Sequence, residues 1–329
     1  MTRRLCVSLI LLSLFLLTGC WEIYWESSYT PEPYYTEEAP VITEDVWEDG
    51  KNWDDENDEN DENDANDESD KNEENNRETV DVEPEVLAYY RLAADMAEAY
   101  RAGDPVVVDT SGQSMVLDVV LAYINMIIPR QIKLSEQREW VDDVLTSVTY
   151  ECLFPLSIDA DFDRAVSILE DAADALVTPG MTDREKLLAI HDWVVGKNIY
   201  PDQYDDDARS AAALAFYGNA ICSGYADAVK IMCDYIGLPC VNLHGNAINS
   251  LGSQGDHGWN AVYVEGEWRH LDATFDDPKT NTGENLCLYD YFLVPTDEIL
   301  RNHTFDKTLS WEEQQSFANW YFFSQGELP

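Results

Sequence analysis

The hydrophobic positions change their spacing several times along the chain, and each change marks an element. Leu5 to Leu17 is an unbroken apolar run behind Arg3 and Arg4. From Trp21 to about Glu85 no apolar period is visible. The pattern resumes at Pro84-Glu85-Val86-Leu87, a helix start with Pro in its first turn, and continues through Leu92, Met96 and Tyr100 to Gly103. Ser114 to Ile128 predicts a second helix and Glu136 to Val148 a third. Asp161 to Leu176 reads as an amphipathic helix closed by Pro179-Gly180. Thr182-Asp183-Arg184-Glu185 is a capping box that opens another helix through Val195. Ser210 to Tyr217 is helical and Gly218 ends it. Tyr225, Val229, Met232 and Ile236 then recur at three- and four-residue steps until Gly237-Leu238-Pro239 stops them. Trp259 to Val264 reads as a strand, Glu265-Gly266 as a turn and Glu267 to Thr274 as the returning strand.

The two N-terminal stretches read as address and spacer. The apolar run is too short to span a bilayer comfortably as a finished helix. It ends in Leu17-Thr18-Gly19-Cys20, which resembles a lipobox, so residues 1–20 are expected to be a lipoprotein signal with Cys20 acylated after cleavage. The product would be exported and tethered by lipid to the outer face of the cell membrane, or to an outer membrane. Residues 21–85 carry a run such as Asp58-Glu59-Asn60-Asp61-Glu62-Asn63-Asp64 that cannot bury enough apolar surface to fold, and are expected to be an acidic disordered linker. An EF-hand loop would need a Gly at its sixth position, and the tract has none there. Residues 86–155 are expected to form a helical subdomain and 156–329 the main domain.

Charge and thiols narrow the function. The formal net charge of -45 argues against a nucleic-acid partner, because phosphate binding needs clustered Lys and Arg. With Cys6 removed and Cys20 acylated, five cysteines remain: Cys152, Cys222, Cys233, Cys240 and Cys287. An odd number leaves at least one thiol free or paired between chains. Cys222 sits at or near the start of a helix, where unpaired N–H groups and the positive end of the helix dipole favour the thiolate and can stabilise an oxyanion. Cys233 and Cys240 lack this setting and read as structural. His191, between apolar neighbours in a helix, reads as packed. His244 and His270 are rivals to His257 for the role of base, and the company of Trp259-Asn260 favours His257. If Val264 pairs with Glu267 across a two-residue loop, His257 and Asp272 are diagonal neighbours on one face, within reach of a side-chain hydrogen bond. A one-residue slip would separate them.

Three segments together resemble the transglutaminase-like superfamily, over roughly residues 162–303. They are Cys222-Ser223-Gly224-Tyr225-Ala226, His257-Gly258-Trp259-Asn260 and Asp272-Ala273-Thr274-Phe275-Asp276. Gly258 departs from the family, where Ala is commoner. The resemblance implies an α+β papain/transglutaminase-like core, a nucleophile helix packed on an antiparallel sheet. It implies Cys222 as nucleophile, His257 as base and acid, Asp272 as orienter, and Trp259 and Tyr225 as residues lining the site or binding substrate. It implies no metal and no cofactor. The function expected is acyl transfer on amide or peptide bonds of a protein or peptide substrate, cell-wall peptides among them, with hydrolysis favoured over transamidation. The alternative is a non-catalytic surface binding module on the same fold.

Overall fold

The hairpin over residues 254–271 orders the domain, and its register is the one the two-residue loop predicts. The computed structural model describes residues 82–102, 106–108, 115–129, 133–153, 161–279 and 286–324. The signal segment, Cys20 and nearly all of the acidic tract lie outside these. In chain order the helices are α1 (Pro84–Ala102), α2 (Leu117–Ile127), α3 (Phe162–Leu176), α4 (Asp183–Lys197), α5 (Ala211–Tyr217), α6 (Cys222–Tyr235), α7 (Thr296–Ile299) and α8 (Trp311–Asn319). The strands are β1 (Val106–Val108), β2 (Lys133–Val141), β3 (Val144–Leu153), β4 (Cys240–Ile248), β5 (Gln254–Val264), β6 (Glu267–Leu271) and β7 (His303–Phe305). Val264 pairs with Glu267 and Asn260 with Leu271. Glu265 and Gly266 both take positive φ, 55° and 88°, as a tight turn between right-twisted strands demands. β6 stops at Leu271, so Asp272 stands just past the strand rather than inside it.

The main sheet is antiparallel with strand order β6-β5-β4-β7. It is apolar on both faces, with the period of two that a pleated strand imposes. Cys240, Val262 and Val264 join one core with α3, α4, α5 and α6. Val241, Leu243, Trp259 and Ala261 join a second core with α1, α2 and α8. The N-terminal helices thus cover the second face of the sheet. α6 is the central element of the first core: every residue from Cys222 to Cys233 is buried. The capping box at α4 is present, with Glu185 N–H on Thr182 Oγ1 and Thr182 N–H on the Glu185 carboxylate. Gly218 closes α5 in the left-handed region, at φ 61°. Among the described residues no helix is long and apolar enough to cross a membrane.

One expected helix is absent. Residues 136–148 are not helical; they belong to the hairpin β2–β3, which with β1 makes a separate three-stranded sheet. The reason is local. Asp142 and Asp143 sit at φ 51° and 63°, a turn that Asp tolerates. The segment behind it, Val-Leu-Thr-Ser-Val-Thr-Tyr, is rich in β-branched residues that fit a pleated surface better than a helix.

At Gly245 of β4 the backbones approach closely: a Cβ there would stand 1.8 Å from the carbonyl oxygen of Thr304. This is the position at which β4 pairs with Phe305 of β7. Gly245→Ala is therefore expected to break the β4–β7 pairing and lower stability by about 2 kcal/mol or more, read from the urea midpoint. A midpoint equal to that of the parent protein would contradict this packing.

Candidate active site

Cys222 opens α6 behind an extended N-cap, Ile221, and no side chain caps this terminus. The loop that delivers it is clamped by Asn198. The Asn198 side chain accepts from Ala220 N–H at 2.8 Å and donates to Ala220 C=O at 3.1 Å, matching both backbone groups of one residue. Ile221 N–H donates to Ala208 C=O at 2.8 Å. Gly224 lets the first turn press against its neighbours, since a Cβ there would lie 2.6 Å from the Ala220 Cβ and 2.8 Å from the Ser210 carbonyl oxygen. Tyr225, 1% exposed, turns inward and hydrogen-bonds Asn198 and Asp277.

His257 comes from β5 and meets Asp272 as the register requires. Its Nε2 lies 2.7 Å from Asp272 Oδ2. A carboxylate only accepts, so Nε2 carries the proton and Nδ1 is the nitrogen turned away from Asp272; Cys222 is among the neighbours that favour the protonated ring. Asp272 is 1% exposed. Its Oδ1 accepts from the backbone N–H groups of Thr274 and Phe275 at 3.1 and 3.2 Å. Its Oδ2 also receives Nε2 of His303 at 2.9 Å. Burial disfavours the charge on Asp272, but His257 and His303 outweigh it and hold the carboxyl well below its ordinary range. Burial likewise opposes a charge on His257, yet Asp272 and then Cys222 lift the imidazole to about 10. Phe275 packs on His257 with ring centroids 4.8 Å apart, and Trp259 stacks 6.1 Å away on the other neighbour position of the strand. Trp259 is buried and donates its indole N–H to His270 Nδ1 at 3.2 Å.

The rivals of His257 are placed elsewhere. His270, accepting that indole proton and contacting Thr296, is neutral; burial and His303 push it down to about 3. His244 is held down chiefly by burial and lines a separate cleft of about 280 Å³ with Asp118, Asn125, Asp306 and Gln314. That cleft does not include Cys222. Cys233 and Cys240 are fully buried beside each other. A Cβ at position 258 would meet nothing closer than 3.6 Å, so the Gly found there is a substitution the fold does not require. Sequence analysis did not single out Asn198 or His303. Neither has a local signal, and each acts through a partner 22 or 31 residues away. Ser223 Oγ and Thr274 Oγ1, flanking the thiol and the carboxylate, are buried without a protein partner.

A thiol at a helix start, an imidazole and a buried carboxylate thus converge. A family model for the transglutaminase-like superfamily matches residues 170–273, which contain all three. Residues 170–273 are a transglutaminase-like domain. This domain is similar to Hillarin of Drosophila melanogaster, 31% identical over 175 residues that cover 43% of this chain and 21% of that protein. It is also similar to the kyphoscoliosis peptidase of Homo sapiens, 28% identical over 172 residues, covering 48% of this chain and 26% of that protein. The match therefore spans about a quarter of the length of these relatives. Among solved structures, a TGase aligns at 15% identity and TM-score 0.31, covering 45% of this chain and 46% of that one. The periplasmic domain of TgpA from Pseudomonas aeruginosa aligns at 16% and 0.26, covering 46% and 67%. The transglutaminase-like domain is of α+β class, with a curled antiparallel sheet against the Cys222 helix.

The His257–Asp272 pair has a defined pH window. The imidazole titrates near 10 when folded and near 6.5 in its ordinary state, so the stability it contributes is complete below about pH 6.5 and is lost as pH rises through about 10. Asp272→Asn removes the largest favourable partner of the imidazolium. The His257 midpoint, followed by the NMR shifts of its ring C–H protons, is expected to fall by several pH units. A midpoint that stays near 10 would show that Asp272 is not what holds the charge.

Proposed function

We propose that the chain is a surface-anchored cysteine acyl-transfer enzyme acting on amide or peptide bonds, with hydrolysis favoured over transamidation. The observation that carries this reading is the His257–Asp272 pair, 2.7 Å apart, with Cys222 at the start of α6 among the neighbours that favour the charged imidazole. The thiolate of Cys222 attacks the amide carbonyl carbon. The imidazolium of His257 gives a proton to the departing amine, and a thioester remains on Cys222. Water then attacks the thioester, His257 takes its proton, and the carboxylic acid and the free thiol are released. Asp272 keeps the ring in one orientation throughout. Backbone N–H groups at the start of α6, which no side chain caps, would receive the oxyanion. The unpartnered hydroxyls of Ser223 and Thr274 supply polar contacts for a bound substrate. The lipobox and the acidic tract support display of this domain away from a lipid surface, where protein or cell-wall peptides are within reach; they argue against nucleic-acid substrates.

A second reading, a surface binding module without turnover, is favoured by one observation: Cys222 is only 8% exposed and His257 9%. Both readings meet in one experiment. Alkylation of Cys222 and release of fragments from a peptide library are followed in the parent protein and in the Cys222→Ala, His257→Ala and Asp272→Asn variants. The enzyme reading expects rapid alkylation at neutral pH that slows when His257 is removed, and turnover that falls by about a thousandfold or more without Cys222 or His257. Alkylation indifferent to His257, with no substrate cleaved, would leave the binding module.

A further inference from the structure

A second cluster of reactive groups lies outside the thiol site. His191 is fully buried on α4, and its two ring nitrogens face opposite ways. Nε2 lies 3.1 Å from Asp276 Oδ2, another fully buried group. Nδ1 faces two donors of different kinds: Asp192 Oδ1 at 3.1 Å and Cys287 Sγ at 3.8 Å. Cys287 Sγ and Asp192 Oδ1 are themselves 3.6 Å apart. Tyr289 lies with its ring 5.5 Å from that of His191. Nothing in the proposed acyl-transfer chemistry uses any of these side chains.

We propose that His191, Asp192 and Cys287 form a binding site for one borderline divalent cation of the zinc class. Nitrogen, thiolate and carboxylate oxygen are the donors such an ion prefers. The spacing supports it. Three ligands on one face of a zinc tetrahedron stand ~3.4 Å apart for nitrogen and oxygen and ~3.6 Å apart for sulfur with either. The observed edges are 3.1, 3.8 and 3.6 Å. The other compact group, His257, Asp272 and His303, brings its nitrogens to 2.7 and 2.9 Å from one oxygen. That group holds no thiol, and its one shared carboxylate oxygen already accepts from both imidazoles, so the two clusters are of different kinds. Asp276 completes the arrangement by accepting from Nε2–H, which fixes the ring so that Nδ1 presents its lone pair to the cation. The Asp192 side chain is 44% exposed, which gives the ion an entry path and leaves a fourth position for water or for the Tyr289 oxygen. Binding releases the thiol proton of Cys287. An ion held there ties α4 to the segment around Cys287 and, through His191 and Asp276, to the turn that carries Asp272.

The test uses the full chain carrying Cys222→Ala, so that the other thiol–imidazole pair cannot take the ion, kept reduced and titrated with cobalt(II). One equivalent is expected to produce a thiolate-to-cobalt charge-transfer band, and zinc(II) should erase it by displacement. Adding Cys287→Ser should abolish the band. Adding Asp192→Asn, a half-exposed change that spares the core, should weaken cobalt binding at least tenfold. Absence of the band in the Cys222→Ala protein overturns the proposal, as does a band of full strength after Cys287→Ser. If circular dichroism shows that the Ser variant has unfolded, the Asn variant decides: unchanged affinity overturns the site and a tenfold loss supports it. None of these measurements depends on turnover, so they stand or fall apart from the acyl-transfer reading.

Discussion

The buried carboxylate of Asp272 is the constraint around which the domain is arranged. Taking an ion out of water costs several kcal/mol unless its lone pairs are met. Here they are met four times, by two backbone N–H groups and by two imidazoles. These four partners come from three parts of the chain. The amides come from the turn just after β6, one imidazole from β5 and the other from β7. The carboxylate can be satisfied only when the hairpin is in register and β7 is seated on β4. The requirement to satisfy one charge therefore specifies several tertiary contacts at once.

His303 shows how that requirement reaches into the backbone. It belongs to a three-residue strand, and a strand that short has little stability of its own. It is held by pairing with β4, and that pairing is possible because Gly245 carries no side chain. Phe275, Trp259 and Tyr291 then enclose the His303 ring. An absent methyl group in one strand thus positions an imidazole on the carboxylate that serves another.

Much of this was legible in the chain, and the parts that were not share a cause. The start of α6, the capping box of α4 and the β5–β6 turn depend on neighbours within four residues, so local pattern reveals them. In the hairpin β2–β3, Trp140, Val144 and Val148 recur at four-residue steps that imitate a helical face. The strand period and the Asp142-Asp143 turn decided otherwise. The register of His257 with Asp272 could be derived because a two-residue loop leaves one solution per face. The pairing of His303 with Asp272, of Asn198 with Ala220 and of His191 with Cys287 could not. Those partners are separated by 31, 22 and 96 residues, and no local rule connects them.

The two aspartates of the turn after β6 show what environment alone does to one residue type. Asp272 and Asp276 are four residues apart and both fully buried, and Asp276 N–H donates to Asp272 C=O at 3.2 Å. Asp272, with two imidazoles and two amides, is kept ionised. Asp276 has one imidazole and the N–H of Tyr291, so burial prevails and lifts it to about 6. The difference follows from the number of donors each carboxylate commands, with the charge of Asp272 a minor addition at Asp276. The turn therefore keeps its permanent negative charge on the side that faces the Cys222–His257 contact. The weaker acid faces α4. Both imidazoles beside the turn still hold a proton at neutral pH: burial opposes the charge on each, but Asp272 lifts His257 to about 10, and Asp192 with Asp276 lifts His191 to about 11.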